Sequence, residues 1–476
     1  MKKEELFETI NDINENHIKE AREYTPKKKT SWIKWAIPAI CAALLLMIFT
    51  NPFSPRTVDS PVSMGPITVL AEYPEPVGDN MTEQEFLQSD EHWNWWQPYR
   101  EKVEKSKILQ EDIRDYYSAI MGKLLISDDT NTVCSPLNTY IAFAMLAEVS
   151  DGNTRKQILD MLQVKDIETL RTNIKTLWEG NYADTPVFKS LLANSLWLNQ
   201  SVSYKTDTLQ LLANQYYASS FSGTPGTEEM DEALQTWTDQ NTGGLLSEYV
   251  KTMKFSPDTV LAMVSTIYYK AMWTEPFVSE ETSEQIFHGT KADTTVNMMH
   301  KTALIPVYQT DAFTSIGLNL HDSGAMYFYL PNNGTDVNAL ASDPDIINAI
   351  HYRDQTDPDS YEVHLSVPKF KVSGTTDLKK SLAELGITDA LDPARSDFTP
   401  LTTDPANIFL SSADHSALVE IDEEGVTGAA YTELAFGMGA ILPEDTIDFV
   451  LDRPFMFVIT GQDGSVLFSG IVRNLE

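Results

Sequence analysis

Residues Glu423 to Pro443 place the tightest constraint on what this chain can fold into. The stretch is long, rich in small residues and uncharged past Glu433, which suits an exposed loop. Taken two at a time, however, Val426, Gly428, Ala430, Thr432, Leu434 and Phe436 make a face without charge, while Thr427, Tyr431 and Glu433 fall on the other. A strand with one side in a core needs that alternation. The fold must therefore offer this segment both an exposed place and a place in a sheet, which makes it a candidate switch.

The flanking chain reads as mixed. Leu109, Ile113, Tyr116, Ile120 and Leu124 make a helical stripe that marks a domain start. Ser135-Pro136 supplies an N-cap and a proline at the first helical position, leading into Tyr140–Leu146, apolar all round and hence a buried helix. Thr154 to Gln157 reads as a capping box for the next helix, with Ile158, Leu159 and Leu162 inward. Val260 to Tyr269 is β-rich, Val363, Leu365 and Val367 alternate as a strand, and Leu378, Leu382 and Leu385 return to helical spacing before Gly386. Phe455–Ile459 and Val466–Val472 flank Asp463-Gly464, a hairpin signal. Without a βα rhythm, the class is α+β.

Charge and chemistry exclude other classes. The chain has 476 residues with 35 Lys+Arg against 69 Asp+Glu, a formal charge of −34, which disfavours nucleic acid as a partner. Its two cysteines, Cys41 and Cys134, both lie in apolar surroundings and read as small hydrophobes. The eight histidines show no HxxxH or HExxH spacing, no CxxC occurs, and no GxSxG elbow is present. No metal, cofactor or enzymatic triad is implied, and His415 is read as a core histidine.

Trp35 to Phe49 is uninterruptedly apolar and follows Lys27, Lys28, Lys29 and Lys34. Extended by Trp32, Ile33 and Phe53, it approaches the ~20 residues that cross a bilayer, with the amino terminus held in the cytosol. This gives a tail over 1–30, carrying a short amphipathic pattern at Leu6, Phe7, Ile10 and Ile13, an anchor over 31–53 and a spacer over 54–106. The large domain then occupies 107–476, on the outer side of a cell membrane. A cleaved leader is the alternative and gives a secreted form. Trp93, Trp95 and Trp96 are assigned neither to a packed nor to a surface position.

Several stretches resemble the serpin family in order and spacing. They are Asn131 to Leu162, Trp237 with Thr242-Gly243-Gly244, Tyr268 to Trp273 followed by Pro276-Phe277, Val367 to Phe370, His415 to Gly425, and Arg453 to Phe457 with Leu467 to Gly470. The resemblance spans about 107–476 and is similar to a bacterial-type, membrane-anchored member. It implies three β-sheets, eight or nine helices and an exposed reactive-centre loop that a protease cleaves as substrate. It also implies that the cut loop inserts into the largest sheet, trapping the acyl-enzyme. Fifteen inserted residues at ~3.3 Å each would carry the protease roughly 50 Å.

Carried over by resemblance, the reactive bond is Gly439-Ala440, with Met438 the alternative to Gly439. The hinge is Glu423, Gly425, Val426, Thr427, Gly428, Ala429 and Ala430, departing from the family at Val426 and at Tyr431 beyond it. The shutter is Ser135, Asn138, Ser265 and His415, with Asn and Ser exchanged relative to the family and their network preserved with partners reversed. The breach is Trp273 with a Lys369 to Glu423 ion pair, and Ala271 replaces the usual glycine. Phe436, Met438, Ile441 and Leu442 offer apolar contacts and no Lys or Arg lies between Glu423 and Asp452. The target is therefore an elastase-, subtilisin- or chymotrypsin-like serine protease, with a cysteine protease as a further class. The inhibitor is expected to be monomeric and not an enzyme. The alternative is a non-inhibitory serpin serving as a carrier or binding module at the cell surface.

Overall fold

The computed structural model describes residues 67–243, 250–352, 360–404, 408–426 and 446–475. The tail, the 31–53 anchor, hinge residues Thr427 to Ala430 and the Gly439-Ala440 bond with Met438 lie outside the described residues. Among the residues described, no helix is long and apolar enough to cross a membrane.

The strands are β1 (Thr68–Val69), β2 (Thr132–Cys134), β3 (Ala183–Asp184), β4 (Phe188–Asn199), β5 (Ala218–Gly223), β6 (Leu261–Met272), β7 (Ser283–His288), β8 (Asp293–Gln309), β9 (Phe313–Asn319), β10 (Ala325–Pro331), β11 (Ser360–Pro368), β12 (Phe370–Asp377), β13 (Leu410–Ile421), β14 (Gly425–Val426), β15 (Thr446–Val450), β16 (Phe455–Thr460) and β17 (Val466–Val472). The first sheet runs β1-β5-β4-β6-β14-β13-β12, with β3 on β4. In the second assembly, β15-β11-β8-β9-β10-β16-β17-β2, the 17-residue β8 pairs with β7 and β11, then with β9. One long strand thus links two sheets end to end, giving the expected three. Eleven α-helices occur among the described residues, more than the eight or nine expected.

Local signals account for much of this. Ser135 caps Pro136–Val149, and every residue of that helix is buried, as an apolar surface without a polar stripe requires. The final hairpin forms around Gly464 at φ 88°. The Thr154 capping box does not form. The helix starts at Gly152 under an Asp151 cap, because the Thr154 hydroxyl is buried and accepts from the Asp397 N–H instead.

The spacer assigned to 54–106 is corrected from residue 67 onward. β1 joins β5, a short helix spans Glu83–Leu87, and a longer one spans Asp90–Lys107. Phe86, Tyr99 and Val103 are in the core, Trp95 and Trp96 pack against it half-buried, and Trp93 is 58 % exposed. The helix was obscured because its inward positions include His92 and Ser106, whose partners, Asp322 and Asp463, lie far along the chain.

Both faces of the first sheet are covered. Leu261, Met263, Ile267, Tyr269 and Ala271 of β6, with Ala413, Ala417, Val419 and Ile421 of β13, face the main core. On the other face Ala262 and Val264 pack with Trp237 and Leu234 of the helix Glu228–Asn241.

Candidate functional site

The seam between β6 and β13 has Ser135, Asn138, Ser265 and His415 at one end and Trp273, Lys369, Glu423, Gly425 and Val426 at the other. The two strands pair directly and in parallel only over Leu261–Thr266 and Leu410–Ser416. At the other end β14 stands between them, Gly425 and Val426 opposite Met272 and Ala271, and Val426 opposite Ile421. Among the described residues no strand lies between Ile267–Lys270 and Ala417–Glu420. The seam is thus closed below, parted above, and wedged at its mouth by the start of the candidate switch.

Gly425 is required by this wedge. A Cβ there would lie 2.3 Å from the Ala271 carbonyl oxygen and 2.9 Å from the Met272 Cα, contacts no side chain can make. Val426 is 1 % exposed in the main core. The wedge is fixed from the breach residues. The Trp273 N–H donates to the Glu424 carbonyl at 2.9 Å and its indole N–H to the Asp422 carbonyl at 2.9 Å. Lys369 Nζ lies 2.7 Å from Glu423 Oε2, and the Thr282 hydroxyl donates to Oε1 at 2.8 Å. Burial alone would raise the Glu423 pKa, but donors from Lys369 and Thr282 and the Lys369 charge outweigh it and hold the carboxyl below its ordinary value.

Beneath the closed end lies a buried polar cluster. His415 Nε2 accepts from the Ser135 N–H at 2.8 Å, and the Ser135 hydroxyl caps the helix at the Asn138 N–H. Burial lowers the His415 pKa to about 4, so the ring is neutral with its proton on Nδ1, a buried atom without a partner. The expected reversal of an Asn138–Ser265 side-chain pair is corrected. Asn138 Nδ2 donates to the Thr266 carbonyl at 2.7 Å, its Oδ1 accepts from Asn194, and Ser265 reaches only the Asn138 main-chain oxygen at 3.5 Å. Position 265 is one residue short of the acceptor, and serine is too short to span the helix-to-strand distance that asparagine spans.

Asn194, on β4 and in register with Ser265, was missed by sequence reasoning. Its signal is an amide within the apolar run Leu191–Trp197, and a buried amide needs a partner.

The profile of the family described as Serpin (serine protease inhibitor) matches residues 115–475. Alpha-1-antiproteinase 2 of Equus caballus is 31 % identical over 356 residues, covering 73 % of this chain and 82 % of that protein. Leukocyte elastase inhibitor of Sus scrofa is 28 % identical over 351 residues, covering 71 % and 92 %. Among solved structures, AtSerpin1 of Arabidopsis in its native stressed conformation aligns with a TM-score of 0.66 at 26 % identity, over 79 % of this chain and 98 % of the other. Tengpin in its native state, at 23 % identity and a TM-score of 0.68, covers 76 % and 93 % and shares the fold. The profile match spans most of the sequence, and the chain belongs to the serpin family.

Proposed function

We propose that this serpin inhibits serine endopeptidases as a suicide substrate, with cleavage at Gly439-Ala440 followed by insertion of the loop between β6 and β13. The observation that carries the reading is the wedge: β14 lies antiparallel to β6, so a strand prolonged in its direction would run down the seam. Continued in that register, each further loop residue meets one residue earlier on β6. Gly428 then faces Tyr269, Ala430 faces Ile267, Thr432 faces Ser265, Leu434 faces Met263 and Phe436 faces Leu261. These partners, Ser265 apart, belong to the main core, so the uncharged face turns inward. In the same register Thr432 lies between Ser265 and His415, bringing a hydroxyl acceptor to the orphan Nδ1–H.

The preferred targets are elastase-, subtilisin- or chymotrypsin-like, with cysteine proteases a further class. The apolar, uncharged sequence around Gly439 and Met438 supports this choice. The domain is placed outside the cell, monomeric and tethered by residues 31–53, on the strength of that apolar run and its basic flank. Nothing in the reading requires a catalytic step by the serpin itself.

Incubation with pancreatic elastase and with subtilisin, followed by denaturing electrophoresis, is expected to show a covalent complex. Mass spectrometry of the released fragment then distinguishes Gly439 from Met438. The cleaved protein is expected to melt higher than the intact one. Cleavage without complex by every protease tried, and no gain in melting temperature, moves the chain to the carrier reading.

A further inference from the structure

Residues 67–107 precede the family match at 115 and bond directly to one wall of the seam. β1 extends the sheet at β5, with Ile67 and Ala71 N–H groups donating to the Ser222 and Ser219 hydroxyls at 3.1 Å. The Tyr73 hydroxyl donates to the Tyr217 carbonyl, and its ring joins a stack with Tyr182 and Trp178. Phe86 is fully buried against Gly78, whose φ of 77° and contact with the ring leave no room for a Cβ. Glu83 Oε1 lies 3.4 Å from the ammonium of Lys270, a largely buried group on β6 one residue below the partners of β14.

The same segment also grips the second sheet. His92 Nε2 lies 2.9 Å from Asp322 Oδ2, both side chains being nearly buried, in the turn between β9 and β10. That turn meets the end of β6 through the His321 N–H on the Met272 carbonyl and a bridge from Leu320 to Trp273. Farther on, the Ser106 hydroxyl donates to Asp463 in the β16–β17 turn. No bond from this segment to β12 or β13 occurs among the described residues. Residues 67–107 thus strap the β1-β5-β4-β6 wall to the second sheet, whereas the β12–β13 wall meets that sheet through its own chain, the Phe370 ring lying on Phe455 and Phe457 and the Lys369 N–H donating to the Asn297 carbonyl.

We infer that residues 67–107 form a strut that pins the β6 wall of the seam, and that Glu83 and His92 are positioning residues that set the rate of loop insertion. This rests on the insertion reading above. Widening the seam requires β6 and β13 to separate. With the strut seated, ties on both walls resist that separation, whereas a released strut lets the β6 wall yield.

The experiment uses the full-length chain in detergent and two variants approaching the latches from opposite sides. Glu83→Gln removes the charge facing Lys270. Asp322→Asn removes the charge facing His92 and suits the left-handed backbone at φ 53°, which asparagine tolerates. Spontaneous loop insertion is followed on urea-gradient gels without protease, and the moles of inhibitor consumed per mole of elastase trapped are measured separately. Each variant is expected to insert roughly tenfold faster than the parent and to consume less inhibitor per protease trapped. The cleaved, already inserted forms should melt within a degree or so of one another, which a general packing defect would not allow. Insertion rates within twofold of the parent for both variants, with complex formation intact, overturn the strut and leave the inhibitor reading standing. Faster insertion in the variants with no protease ever trapped supports the strut and removes the inhibitor reading.

Discussion

The two ends of the β6–β13 seam are held by different chemistry. The lower end pairs strand to strand and rests on neutral, buried hydrogen bonds, from Ser135 to His415 and from Asn138 to Thr266. The upper end is parted by a two-residue wedge and fixed by a charged pair and an indole, Lys369–Glu423 and Trp273. Neutral bonds of this kind are each worth about 0.5–1.5 kcal/mol net and can be exchanged for those of an incoming strand. The upper contacts hold β14 in place, and the proposed insertion does not require them to break. On the proposed insertion, resistance is concentrated at the closed end, and the open end decides where insertion starts.

The largest expected effect breaks this division outright. Gly428→Arg sets a guanidinium between Tyr269 and Val419, both buried. An unpaired charge in such a place costs several kcal/mol. The variant should be cleaved to completion by elastase with no covalent complex on denaturing gels. Undiminished trapping would show that residue 428 does not turn inward and that the register continued from β14 is wrong.

The closed end is tested by acid. His415 has a pKa of about 4 in the fold against 6.5 for the free side chain, so its contribution is fully present above pH 6.5 and is lost as pH falls toward 4. The loss is on the order of 3 kcal/mol. Asp463 and Asp414, whose pKa values burial raises, act in the opposite sense over the acid range. The comparison that isolates the histidine is with His415→Gln, whose Oε1 can accept from the Ser135 N–H. In urea unfolding, the parent should lose stability relative to this variant between pH 6.5 and 4, and parallel profiles would exclude His415 as the titrating group.

How legible these ends were differs as much as their chemistry. Lys369 and Glu423 pair while Trp273 bonds the neighbouring Asp422 and Glu424 carbonyls, and Gly425 carries its reason in its type, since no other residue fits against the Ala271 carbonyl. Asn138 bonds the Thr266 carbonyl rather than the Ser265 side chain, because the length of an asparagine relative to a serine matters only once the helix-to-strand gap is known. Asn194 gave only a weak signal: one amide between Leu191 and Trp197 has no period of its own. The strut was hidden for a related reason. The stretch 54–106 reads as a spacer, yet from Asp90 it is a helix, Pro98 included, whose inward residues His92, Tyr99, Val103 and Ser106 recur at helical spacing. Two of those four are polar, and only tertiary partners make them core.

At the open end, Gly425→Ala is expected to unseat the wedge. The added methyl must displace backbone on β6, a strain of about 1–3 kcal/mol. Amide exchange should show loss of protection at Val426 and Met272 with little change at Ser265 and Ser416. Equal loss at both ends would mean that the seam opens as one unit and that the contrast between its ends is spurious.

The smallest effect comes from the charged pair. Lys369 is 37 % exposed against 11 % for Glu423, so solvent screens their attraction and Lys369→Met should cost about 1 kcal/mol or less. Its sign with pH is nevertheless distinctive. Because the Glu423 carboxyl titrates below its ordinary value of 4.5, the pair contributes above that pH and the contribution is lost as pH falls through the lowered value. The difference in unfolding free energy between parent and Lys369→Met should therefore be constant near neutrality and shrink only below about pH 4.5, at lower pH than the His415 transition begins. A difference that instead shrank between pH 6.5 and 4.5 would couple the breach to the histidine and join two regions that the structure keeps chemically apart.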